Sequence, residues 1–512
     1  MASPFTISPL RSRLVLKASS LISQDAFVCR RCLHQQAKAN TRSTSTKRSP
    51  FLDAFKQARQ PQLRHQSSAA SPSSQSATSP LGALSQRITQ SSSSSRGHSA
   101  SGSSFPDVSS KSVAYFLLAS ATSVFGIVVF GGLTRLTESG LSITEWRPVT
   151  GSLPPRDETA WEEEFARYKL SPEFRMLNSR MGLEDFKQIY WMEWTHRLWG
   201  RVVGVTFLVP TLYFVLRRRV SRGMAGRLLA ICGLIGFQGA LGWWMVKSGL
   251  KDDLFDKGQQ PRVSQYRLAA HLGTAFLAYL AMVWNGLAIL KEHRLVRNPA
   301  EGSKLLQQLQ RPELRSFKRA VAALSVLTFV TAMSGALVAG LDAGLIYNDF
   351  PWMGQGLLPP KREMFDPFYS HTPDQKDLVW RNMLENPVLV QLDHRILATT
   401  TFTAIVALWA YSRFNPRVRA TMPKSASKGM LGVVHLVSLQ VVLGISTLWY
   451  LVPTPVAAAH QAGALALLTG VTLLASRVRV SKRSLMLVQK ALERQAKVKG
   501  SGTMQKHWSP VV

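Results

Sequence analysis

The chain has 512 residues, a formal net charge of +33 and 18% charged residues. Its mean hydropathy of +0.01 would suit a soluble protein, and so basic a chain invites a nucleic-acid reading. The distribution excludes both: beyond residue 105, basic residues gather in short loops between long apolar runs, so the excess marks topology and not a nucleic-acid surface.

Residues 1–105 hold fourteen Lys/Arg and only two acids, Asp25 and Asp53, in a Ser-, Gln- and Thr-rich background. Such a leader reads as a mitochondrial transit peptide, taken as 1–45, followed by a Ser-rich disordered linker over 46–110. The basic stretch from Pro9 to Lys17 suits the short amphipathic helix of an import signal. Cys29 and Cys32 match a CxxC pattern but lie in that leader without a second ligand pair, so coincidence is the better reading. The third cysteine, Cys232, sits in an apolar run and reads as a packing residue.

Eight runs are long enough to span a hydrocarbon core of about 30 Å. They are Ser112–Thr134, Trp191–Leu216, Leu228–Val246, Leu268–Leu290, Ala320–Leu341, Val388–Tyr411, Met430–Tyr450 and Val456–Ser476. The predicted fold class is therefore all-α membrane protein, with eight transmembrane helices arranged as two pseudo-symmetric four-helix bundles. The halves span 111–290 and 319–476, joined by a linker at 291–318 and followed by a basic tail at 477–512. That tail alternates apolar and basic residues from Lys482 to Lys499, as a surface helix or a disordered segment would.

Loop charge gives an independent check. Arg217–Arg227 and Arg413–Lys428 each carry five basic residues and no acid, whereas Arg135–Lys187 has eight basic and ten acidic. The positive-inside rule then puts both termini and the even-numbered loops in the matrix, for a multi-pass protein of the mitochondrial inner membrane in contact with its lipid.

The chain repeats itself. The segment Gly131–Leu141 aligns without a gap to Gly335–Leu345, His196-Arg197 to His394-Arg395, Gln238–Gly242 to Gln440–Gly444, and Leu268–His271 to Ala457–His460. The order is the same in both halves, which predicts a parallel duplication of a four-helix unit.

Of eleven histidines, five lie in apolar runs: His196, His271, His394, His435 and His460. An ionisable residue at membrane depth is costly and marks a functional candidate. Four of the five recur at matching positions on the second and fourth helices of each half, near the outer ends, while His435 has no counterpart and reads as packing. Two histidines on separate helices suit bis-imidazole ligation of a haem within each bundle. Zinc or copper would ordinarily recruit further Cys, carboxylate or His ligands. Arg197, Arg201 and Arg395 can pair with haem propionates, or else snorkel to the interface.

One difference between the halves is informative. Glu193 precedes His196 by three residues and shares its helical face, and Gln391 stands in the corresponding place before His394. A carboxylate beside one site only suggests that the first half does chemistry and the second supports it. Pairing of Glu193 with an arginine is the structural alternative.

At these residues the chain resembles a known family. The carriers are Gly131–Ser142, Trp146–Pro155, Phe186–Arg201, Tyr266–His271, Gly344–Trp352 and Gln391–Arg395, long motifs spread over roughly residues 110–476. They are similar to the heme A synthase family in its mitochondrial form. The resemblance implies oxidation of the C8 methyl of haem O to the formyl of haem A, in two successive oxidations through a hydroxymethyl intermediate. It implies a catalytic role for Glu193, a substrate-haem site at His196 and His271 with Arg197 and Arg201, and a haem b cofactor on His394 and His460 with Arg395. It also implies haem O synthase and a matrix ferredoxin system as partners, and a homo-oligomer. A b-type cytochrome that only carries electrons, or a haem transporter, would share the histidine pairs and not need Glu193.

Overall fold

Ser110 opens the first long helix by accepting a hydrogen bond from the Ser112 amide, and no charge interrupts the 22 residues up to Thr134. The computed structural model describes residues 105–251 and 261–505, with side chains described through residue 497. The transit-peptide region, Cys29 and Cys32, and nearly all of the Ser-rich linker lie outside the described residues.

Among the described residues eight helices have 25 residues or more: α1 (Lys111–Leu136), α2 (Leu183–Leu216), α3 (Arg222–Val246), α4 (Gln265–Arg297), α5 (Arg315–Gly340), α6 (Pro387–Phe414), α7 (Lys424–Trp449) and α8 (Thr454–Val478). Among the described residues there is no strand beyond one isolated bridge. Seven of the eight are long and apolar enough to cross a membrane by length and composition. The exception is α6, where Asp393, His394 and Arg395 interrupt the start and four threonines between 399 and 403 dilute its middle. It nevertheless packs between α5 and α7, as its counterpart α2 packs between α1 and α3.

Within each half the helices close a ring, α1–α2–α3–α4 and α5–α6–α7–α8. The halves meet through the fourth helices: α4 packs on α5 and α8, and α8 on α1. Each half has its own core, built around Leu117, Phe207, Met282 and Ile289 in the first and Phe317, Ile405, Met430 and Leu474 in the second. At the seam, Tyr279 Oη and Thr469 Oγ1 lie 2.8 Å apart, a hydrogen bond between α4 and α8. In lipid, such bonds and close packing, not apolar transfer, hold helices together. Val202, Val205, Leu208, Val209 and Leu212 leave an exposed apolar stripe on α2, as a lipid-facing helix requires.

The duplication extends to the backbone. Glu138 and Asp342, matched by the repeat, both adopt φ of 51°, a left-handed turn that ends α1 and α5 alike. Asp342 then ties the halves, receiving Arg135 at 2.7 Å and Arg262 at 3.3 Å.

At the opposite end the described termini meet. The tail is a helix, Lys482–Gln505, so the disordered alternative does not apply to those residues. Leu487 and Val488 are buried, and the helix packs on α4 and on the linker helix Pro299–Gln310. Arg483 pairs with Glu292 at 2.7 Å, and Lys490 and Arg494 reach Asp107. Cys232 is partly buried against the first core. His435, read as packing, instead lies on the exposed face of α7.

Candidate functional site

Each of the four repeated histidines is backed by a repeated glycine on a neighbouring helix. A Cβ on Gly131 or Gly335 would come within 2.7 and 3.2 Å of Cε1 of His196 and His394, respectively. On Gly242 or Gly444 it would meet Cε1 of His271 and His460 at 3.3 and 3.0 Å. A Cβ at Gly131 would force the His196 ring to shift, and at the other three positions the imidazole would have to give by a few tenths of an ångström. All four rings are largely enclosed by the bundles and keep some accessible surface.

In the second half the rings of His394 and His460 stand 6.5 Å apart, centroid to centroid, at 88°. That spacing accommodates one metal with two imidazole bonds of about 2 Å each. In the first half His196 and His271 lie within electrostatic reach of one another, and the Nδ1 atoms of both are buried without a hydrogen-bond partner. Among the described residues no group of three or more His, Cys, Asp or Glu could hold a metal ion. A pair of histidines without further protein ligands fits a haem, which His196 and His271, or His394 and His460, would hold.

The residues beside the histidines hold the outer loops down. Glu193 is 3% exposed and accepts four hydrogen bonds. Its Oε2 receives Ser142 Oγ (2.7 Å) and the Ile143 amide (2.8 Å), and its Oε1 receives Arg197 Nε (3.0 Å) and Nη2 (2.6 Å). Arg197 also donates to the carbonyls of Ile143 and Glu145, and Arg201 to those of Arg147 and Pro148. In the second half Gln391 Nε2 and Arg395 Nη2 both donate to the Tyr347 carbonyl at 2.9 Å, and Arg395 Nη1 to that of Trp352. Ile143 and Tyr347 each lie twelve residues beyond the repeat glycines Gly131 and Gly335. The arginine after each histidine therefore grips the same loop position in both halves. Arg201 Nη1 and Arg395 Nε remain buried without partners, and Arg197 and Arg201 line a cleft of about 350 Å³ at this end of the first half.

A compact cap covers the first half. Helices Glu158–Lys169 and Pro172–Met176 enclose Trp161, Phe165, Tyr168, Phe186 and Tyr190. Inside it, Tyr168 donates to Glu173 Oε2 at 3.2 Å and receives Asn178 Nδ2 at 2.8 Å. Burial pushes the Glu173 carboxyl up to about 8, with Glu193 and Glu138 adding to the rise. The native cap thus holds a proton that the unfolded chain releases near 4.5, and stability falls as pH rises between about 4.5 and 8, by at most about 1.4 kcal/mol per pH unit. Hydrogen exchange over the 158–181 segment should show protection declining across that window in the wild type and flattening in Glu173→Gln. An equally steep decline in the variant would contradict the assignment to Glu173.

The profile of the COX15-CtaA family, described as cytochrome oxidase assembly protein, matches residues 114–472. The chain belongs to this family. Heme A synthase COX15 of Saccharomyces cerevisiae is 48% identical over 390 residues, covering 76% of this chain and 80% of that one. Heme A synthase COX15 of Homo sapiens is 47% identical over 368 residues, covering 72% and 82%. A heme A synthase-mitochondrial ferredoxin fusion protein of Schizosaccharomyces pombe is 48% identical over 377 residues, covering 72% and 60%. The family match begins three residues into α1 and ends six residues before the end of α8, so it takes in both histidine pairs.

Reading the sequence alone missed several partners of these sites. Ser142, the Ile143 amide and the loop carbonyls lie about fifty residues from Glu193 and Arg197. No spacing rule links them. Ser334, which contacts His394, immediately precedes a repeat glycine and could have been found by extending the repeat one residue.

Proposed function

We propose that the chain is a heme A synthase that oxidises the C8 methyl of haem O to a formyl group in two successive steps. The observation that carries this reading is the asymmetry of the duplicated sites within a member of this family. Both halves offer a histidine pair, but the residue three before the first histidine is a carboxylate, Glu193, in the first half and an amide, Gln391, in the second. In this reading His196 and His271 bind the substrate haem iron, and Arg197 and Arg201 meet its propionates from the cleft. His394 and His460, with Arg395, hold a haem b, which supplies one-electron redox chemistry when bound.

Glu193 is held in place on both carboxylate oxygens. Four donors occupy it, which suits stabilisation of positive charge developing at the substrate better than free exchange of a proton. The loop it anchors, with the cap above, shields the site from bulk water. A ferredoxin as electron donor is supported by the Schizosaccharomyces pombe relative, whose name joins the two proteins. Extracting haems from membranes with and without the chain separates this reading from an electron carrier or a transporter, since only the enzyme reading expects loss of haem A.

The placement we propose is the mitochondrial inner membrane, with termini in the matrix and the cap on the other side. The support is the basic leader, the sign alternation of the loops and the meeting of the described termini at one end. Protease added after rupture of the outer membrane should cut within 136–187 and spare Arg217–Arg227. Cutting of the latter behind a sealed inner membrane would reverse the orientation.

A further inference from the structure

The four histidines differ in what faces Nδ1. Ser334 Oγ lies 2.7 Å from Nδ1 of His394. The same hydroxyl donates its single proton to the Thr331 carbonyl at 2.8 Å, so toward His394 it has only lone pairs to offer. An imidazole that carries its proton on Nδ1 can donate it to this oxygen, which leaves the Nε2 lone pair bare. Neither histidine of the first half is held this way, and His460 has the Gln440 backbone as its acceptor. Nδ1 of His196 and Nδ1 of His271 have no partner. Nδ1 of His460 faces the Gln440 amide nitrogen at 3.0 Å, and that nitrogen also donates to the His460 carbonyl. The repeat counterpart of Ser334 is Phe130, which stacks on the His196 ring at 6.5 Å and offers no acceptor.

We infer that Ser334 is a positioning residue that fixes His394 as a pre-set ligand, making the second half the retaining haem site and leaving the first half free to exchange its haem. This rests on the reading that His394 and His460 hold a resident haem. Histidine ligands are oriented and made more basic by an acceptor on the far nitrogen, and removing such an acceptor typically costs about 10–100-fold in metal affinity. A haem that must bind and leave each turnover is better served by ligands without that anchor. One that stays is better served with it. The serine–phenylalanine difference between the repeats supplies this distinction at a position that contacts neither the outer loops nor the cap.

The test uses full-length protein carrying His196→Ala, so that the spectrum reports the second half. Ser334→Ala and Ser334→Thr are compared with the parent for haem b retained against a haem-scavenging apoprotein, and for the reduction potential of the bound low-spin haem. Loss of the acceptor should weaken retention by about 10–100-fold and raise the potential, because a less basic imidazole stabilises ferric iron less. The Thr variant, which keeps the hydroxyl, should restore both readings. Unchanged retention and potential in Ser334→Ala would overturn the inference. So would weaker retention with an unchanged potential, which would mark lost packing, or the same losses in the Thr variant. These readings do not depend on haem O oxidation, so failure of the enzymatic reading would leave them standing, whereas a parent that binds no haem in its second half would end both.

Discussion

Glu193→Gln should reduce haem A formation by about 10²–10⁴-fold, the range found when a positioned ionic group is removed from a reacting centre. The substitution keeps the shape and leaves an oxygen for Ser142 Oγ and the Ile143 amide. It removes the charge that Arg197 now meets at 2.6 Å and turns a donor toward a guanidinium that has only donors. It also makes the first half resemble the second, where Gln391 occupies the corresponding position. Folding should survive, because Arg197 still holds the carbonyls of Ile143 and Glu145. The check is pigment composition of membranes that contain normal amounts of the variant and of its second-half haem. Haem O or the hydroxymethyl compound should accumulate, and the one that does so identifies the oxidation that needs the anion. Near-normal haem A would reduce Glu193 to an anchor for Arg197 and the loop.

Replacing His394 or His460 by Ala should remove most low-spin b-type absorbance from purified protein. In the proposed reading each change deletes one of the two imidazoles that would hold the haem, and Gly335 and Gly444 stand directly behind those rings. The corresponding changes at His196 and His271 should leave that absorbance in place while abolishing haem A. Retention of the full low-spin signal in both second-half variants would reassign the resident haem.

Much of the architecture was legible because a membrane imposes few solutions: long apolar runs, loop charge and a parallel repeat lead to two four-helix rings without structural data. The run from Val388 to Tyr411 shows the limit, since α6 carries the polar residues of a site and falls outside the seven helices that qualify by length and composition. Its place between α5 and α7 follows from the repeat, not from hydropathy. The histidines were legible for the same reason, as four positions that recur together. The features hidden from the sequence lie in loops. The contacts of Glu193 with Ser142 and Ile143, and of Arg395 with Tyr347, depend on how the outer segments fold back over the helix ends, and neither periodicity nor charge encodes that return. The arginines illustrate this: both propionate pairing and snorkelling suited them, and the structure adds a third role as clamps on loop carbonyls. The tail from Lys482 was ambiguous because its apolar positions show their use only against α4 and the Pro299–Gln310 helix.

The most direct measurement is the haem content of membranes from cells that lack the protein, compared with cells that carry it and with cells that carry Glu193→Gln. The expected result is haem A only where the wild-type chain is present, with haem O accumulating in its absence. Equal haem A in membranes with and without the chain would contradict the assignment of haem O oxidation to this protein.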